Sequence, residues 1–205
     1  MVEVRDESGR YRAAAPTDPP PPPAASIQAG SVPRGRQVGK ITMMNAEEYL
    51  QGAAGRLQED GNQVSRVQLP GGTALVGYQS KFRLSWAATK LHLFTVLYPT
   101  GDATDASLAA LSRDAMNYAK ATRGALRGFQ TGVAVIPALV ADTVTEQARA
   151  AATARPKKEF AAVLLPAIVD LSSGQTFSYQ GRIVWGVLYA SWLRARLSAT
   201  LPASR

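Results

Sequence analysis

From Asn45 onward the apolar positions follow two rhythms, and their order along the chain predicts the fold. NAEEYLQGAAGRLQED reads as a short helix: Asn45 suits the N-cap, Glu47 and Glu48 suit the positive end of the helix dipole, and Gly61 is a stop. The rhythm then shortens to two. VSRVQL (64–69), the turn PGG (70–72) and TALVGY (73–78) predict a hairpin. KFRLSW (81–86) alternates, with Phe82, Leu84 and Trp86 on one side and Lys81, Arg83 and Ser85 on the other. LHLFTVLY (91–98) comes after AATK, so the two segments should pair antiparallel. PTGDATD (99–105) reads as a loop.

Residues 106–127 return to the helical period. Leu108, Leu111, Ala115, Tyr118, Thr122 and Ala125 mark a buried stripe, while Arg113, Lys120, Arg123 and Arg127 lie roughly opposite. Two apolar runs come next, AVIPALVAD (134–142) and AVLLPAIVD (162–170), each with Pro-Ala at its centre and Asp at its end. Runs apolar at nearly every position suit strands buried on both faces. Between them, Asp142 and Thr143 open a helix, with capping-box spacing in TVTE and good helix formers in EQARAAATA. Strand, helix and strand make a βαβ unit, so the runs should lie parallel. Pro137 and Pro166 each delete a ladder donor, which predicts a bulge, a bend or an edge at those points. SSGQ (172–175) turns the chain into TFSYQ (176–180), and 182–201 form a last helix.

The predicted architecture is α+β: a mixed sheet built from an antiparallel meander, one βαβ unit and a closing hairpin, flanked by helices and occupying 45–205 as a single domain. Residues 1–44 differ in kind. Five consecutive prolines in APTDPPPPPAAS favour polyproline II and predict a disordered arm. Such a run serves as a spacer or as a docking segment for SH3-like or WW-like partners.

Composition narrows the function. The formal charge is +8; six basic and four acidic residues fall in 1–44, leaving seventeen against eleven in 45–205. The folded part is therefore basic and should attract a nucleic acid or an acidic protein. Arg113, Lys120, Arg123 and Arg127, with Arg155, Lys157 and Lys158 of RPKK, form the candidate polyanion-binding set; Lys81, Arg83 and Lys90 flank the meander. Ordinary solubility charge is the plainer reading. Few aromatics interleave with these cations, so base stacking is not indicated. With no cysteine there is no disulfide or thiolate, which fits the cytoplasm. No apolar window is long enough to span a membrane, and the N-terminus has no signal-peptide pattern.

Catalytic signals are sparse. Asp142 and Asp170 end the two repeated strands, where ligands of parallel sheets gather; paired there they would hold Mg²⁺. Each also has an ordinary use as a cap or turn residue. YQSK (78–81) resembles two positions of the PD-(D/E)xK nuclease pattern through Gln79 and Lys81. The preceding strand carries no aspartate, so Glu59 or Asp60 would have to serve. His92 is the sole histidine, and GxGxxG and GxxxxGK[ST] are both absent, so no cofactor is expected. In the last helix Trp185, Tyr189 and Trp192 share a narrow arc, which belongs either in the core or in a two-fold contact. The expected function is a non-enzymatic binding or assembly protein with a basic face, self-associating through this helix. The alternative is a Mg²⁺-dependent nuclease or phosphohydrolase using Asp142 and Asp170.

Overall fold

The computed structural model describes residues 44–86, 89–123, 131–156, 162–181 and 187–202; the predicted arm, apart from Met44, lies outside them. In chain order the elements are α1 (Ala46–Glu59), β1 (Gln63–Leu69), β2 (Gly72–Arg83), a 3-10 turn (Leu84–Trp86), β3 (Thr89–Ala103), α2 (Asp105–Arg123), β4 (Thr131–Val144), α3 (Glu146–Thr153), β5 (Ala162–Leu164), β6 (Ala167–Asp170), β7 (Gln175–Ser178) and α4 (Val187–Thr200). The strands form one mixed seven-stranded sheet in the order β1-β2-β3-β4-β6-β7, with β5 also on β4. β1–β2, β2–β3 and β6–β7 are antiparallel, whereas β3–β4 and β4–β6 are parallel. The meander, the βαβ unit β4–α3–β6 and the closing hairpin are as expected. A second βαβ unit, β3–α2–β4, precedes the first.

Helices cover both faces because each central strand is apolar on both. Leu93, Ile136, Ala138 and Val169 pack under α1 and α4 with Leu50, Leu57 and Leu193. Phe94, Val135, Leu139 and Ile168 pack under α2 and α3 with Leu108, Leu111, Ala115 and Ala148. Burial of these side chains, at about 1.5–3 kcal/mol each, is the main force holding the layers together. Gly77 of β2 lets α1 approach: a Cβ there would sit 2.6 Å from a methyl of Leu57. α1 begins with a full capping box between Asn45 and Glu48, and Gly61 lies just past its end with φ +80°.

The repeated run has a spatial meaning. Val133 pairs with Ala162, Ala134 with Val163, and Ala138 through Ala141 with Ala167 through Asp170. Aligned on the prolines, each residue thus lies beside the one twenty-nine positions on, while the closing aspartates, twenty-eight apart, are not paired. Pro137 and Pro166 are therefore opposite each other, at the break between β5 and β6. Leu165 N donates to Val135 O at 2.9 Å, so ladder alternation turns the Pro137 nitrogen toward that break. β4 continues through its proline because the donor is missing where the neighbouring strand is interrupted. Only β5–β6 divides.

Three local expectations fail. The loop expected at 99–105 is mostly strand: β3 runs to Ala103 because Asp102 and Ala103 pair with Thr143 and Val144 of β4. That pairing, with a side-chain hydrogen bond from Thr143 to Asp102, holds 141–144 extended. α3 therefore starts later than expected, with Thr145 as N-cap accepting from Ala148 N at 3.2 Å. The alternation of 81–86 also stops early. β2 ends at Arg83 and the 3-10 turn rotates the backbone beyond it, so Leu84 is 78% exposed while Trp86 is buried; Phe82, still in the strand, is 54% exposed.

Candidate functional site

α2 buries Leu108, Leu111 and Ala115 against β4, which sets the rotation of the rest of the helix. One flank, Asp105, Ala109, Ser112, Arg113, Met116, Asn117 and Lys120, borders a groove of about 440 Å³. The far wall is the end of α3 and the residues after it, Ala151, Ala154, Arg155 and Pro156; Leu164 and Pro166 close the floor. That volume lies within the range of ordinary ligand sites. The floor is apolar, formed by Leu108, Met116, Leu164 and Pro166, and among the described residues three cations line the groove against one carboxylate, Asp105.

The expected polyanion set is thus partly assembled. Arg113 and Lys120 come from α2 and Arg155 from the segment after α3, so cations 35 to 42 positions apart in sequence share one groove. Arg113 faces Asp114 at 3.5 Å on its own helix, with 70% of its side chain exposed. Such an exposed pair is worth about 0–1 kcal/mol and leaves Arg113 available to another anion. Arg123 is the last residue of α2; Arg127, Lys157 and Lys158 lie outside the described residues. Lys81 does not join the groove: it pairs with Leu91, shares the side of the sheet opposite α2 and α3, and is exposed. The apolar floor is not legible in the sequence, because Leu164 and Pro166 reach α2 only through the β4–β5–β6 register.

The two aspartates are not brought to one cleft. Asp170 is paired with Ala141, on the α2–α3 side of the sheet; Asp142, one residue on, alternates to the opposite side and is exposed. Asp170 is 4% exposed and turns back on its own loop. Its Oδ1 accepts from Ser172 N (3.0 Å), Ser172 Oγ (2.7 Å) and Ser173 N (3.2 Å), and its Oδ2 from Ser173 Oγ (2.7 Å). Burial pushes this carboxyl up, but the hydrogen bonds from Ser172 and Ser173 outweigh it and hold the group below its ordinary value. Among the described residues no three His, Asp or Glu side chains are grouped to hold a metal ion.

Gln79 and Asp60, the pair suggested by YQSK, do meet. Gln79 Nε2 donates to Asp60 Oδ2 at 3.1 Å, while Arg196 of α4 is ion-paired to Oδ1. Both oxygens therefore engage protein donors. Arg56 Nε donates to Thr200 O at 3.0 Å nearby, so these contacts join α4 to the turn after α1.

His92 is 2% exposed on β3, hydrogen-bonded through Nδ1 to the Tyr78 hydroxyl at 2.8 Å with the two rings stacked. Of the α4 arc, Tyr189 and Trp192 both make edge contacts with Trp86, at 5.1 and 5.4 Å between centroids. They face this chain's own core; Trp185 lies outside the described residues. No helix among the described residues is long and apolar enough to cross a membrane. No protein-family model matches the chain, and a search of curated proteins finds no significant relative.

Proposed function

We propose that this protein is a non-enzymatic binding module that holds an anionic partner along the groove between α2 and the end of α3. The observation that carries this reading is the convergence of Arg113, Lys120 and Arg155, from two parts of the chain, on one concave surface. The chain's net charge of +8 would draw an anion toward the molecule over about a Debye length, and the groove would then position it. The cysteine-free composition suits a reducing compartment, and we place the protein in the cytoplasm.

The Mg²⁺-dependent reading with Asp142 and Asp170 gains little from the geometry. The carboxylates project to opposite sides of the sheet, and Asp170 is engaged by its serine loop. Self-association through α4 is likewise weakened as a reading, since Tyr189 and Trp192 are occupied by Trp86.

The test is a titration of two fluorescent polyanions, a 20-base-pair DNA duplex and polyglutamate, at 50 and 200 mM salt. Binding of at least one should weaken steeply with salt and fall about tenfold in either Arg113→Glu or Arg155→Glu, the change expected for about 1.4 kcal/mol. No salt-sensitive binding of either, or binding indifferent to both reversals, removes the proposal.

A further inference from the structure

We infer that the partner is an acidic amphipathic helix of another protein, laid alongside α2 with apolar side chains in the floor and carboxylates against the cations. This rests on the anion-binding reading above and names the chemistry of what binds there. A nucleic-acid backbone presents phosphates and sugars, for which an apolar floor of Leu108, Met116, Leu164 and Pro166 has no complementary group. Among the described residues no aromatic side chain lines the groove. An apolar floor with charge at its borders instead matches a ligand that is apolar on one side and anionic on its flanks, the helix-in-groove mode of recognition.

The α2 residues that line the groove run from Asp105 to Lys120, about 22 Å at 1.5 Å per residue, a length that four turns of a partner helix would follow with its side chains in the floor. Arg113 stands midway along this stretch, where a carboxylate on the partner's first flank would meet it. Arg155 stands on the other wall, where it would meet carboxylates on the partner's second flank. Asp105 makes one end acidic, which disfavours a carboxylate there and gives the bound helix a direction.

The experiment compares two fluorescent 18-residue peptides of identical composition. In one, leucines recur at helical spacing with glutamates on both flanks; the other is scrambled to destroy that face. Polyglutamate and the DNA duplex complete the series. Ala109 and Asn117 are exposed or half-buried residues lining the groove, so Ala109→Trp and Asn117→Trp narrow it without entering the core. Circular dichroism and a thermal melt establish that each variant is folded. The amphipathic peptide should bind at least tenfold more tightly than its scramble, lose that advantage in either Trp variant, and weaken in Arg113→Glu and Arg155→Glu. If the scramble, polyglutamate or DNA binds as tightly as the amphipathic peptide, or the Trp variants do not change the ranking, the helix inference is overturned while the anion-binding reading stands. If nothing binds in a salt-sensitive way, both fall together.

Discussion

Asp170 shows how one carboxylate at a strand end acquires a structural use. Four hydrogen bonds from two consecutive serines surround it, and a charged acceptor with that many donors is stabilised in its ionised form. Asp170→Asn removes the charge and turns the Ser173 Oγ bond round so that the hydroxyl accepts, which should cost about 1–3 kcal/mol at neutral pH, read from urea denaturation midpoints. Because the folded-state carboxyl lies below its ordinary value, its contribution is present above the unfolded pKa of about 3.9 and is lost as pH falls through the folded value. The gap between wild type and variant should therefore hold steady from pH 8 to 5 and narrow below pH 4. A gap unchanged down to pH 2.5 would show that the serine bonds do not favour the charged form. The sequence already allows this turn role beside the metal-binding one. What decides between them is the side of the sheet each aspartate faces, which depends on strand pairing that the letters alone do not state.

Among the elements, α4 carries the clearest reversal of emphasis. Its aromatic arc permits either burial or a two-fold contact, and the packing of Trp86 against both Tyr189 and Trp192 favours burial. Trp192→Ala should lower stability by about 3–5 kcal/mol and leave the mass measured by light scattering unchanged. A change in mass with little loss of stability would return α4 to an interface role. Arg196→Met, which leaves Asp60 with Gln79 and Asn62 but no cation, should lower the melting midpoint by less than the tryptophan change does.

Period and capping residues locate α1, the meander, α2 and the repeated strands well, because each is decided by local burial. The failures arise where a distant strand overrides the local signal. Residues 99–103 carry turn-forming letters yet stay extended on β4, and the helix start moves from Asp142 to Thr145 for the same reason. The twin prolines predict bends, yet β4 passes through its own. Their tolerance depends on facing each other at the β5–β6 break, which only the register reveals.

Taken as a whole, the molecule puts its C-terminal ion-paired contacts and its cation-lined groove on opposite faces of the sheet. On the α1–α4 side, Asp60, Arg56 and Arg196 are joined in contacts that hold the C-terminal helix. On the α2–α3 side, Arg113, Lys120 and Arg155 border an apolar groove. The basic stripe of α2 is visible in the sequence as a periodicity, and RPKK as a cluster; the meeting of Arg113 and Lys120 with Arg155 is not, since it requires the α3 crossover to return the chain beside α2. The most direct test is an amide NMR titration of the protein, isotope-labelled, with the amphipathic acidic peptide at low salt. Shifts should concentrate in Asp105–Arg123, in 151–156 and in 164–166, and should fade in Arg155→Glu. Shifts centred instead on α1, β2 or α4, or absent altogether, would contradict the assignment of this groove as the binding surface.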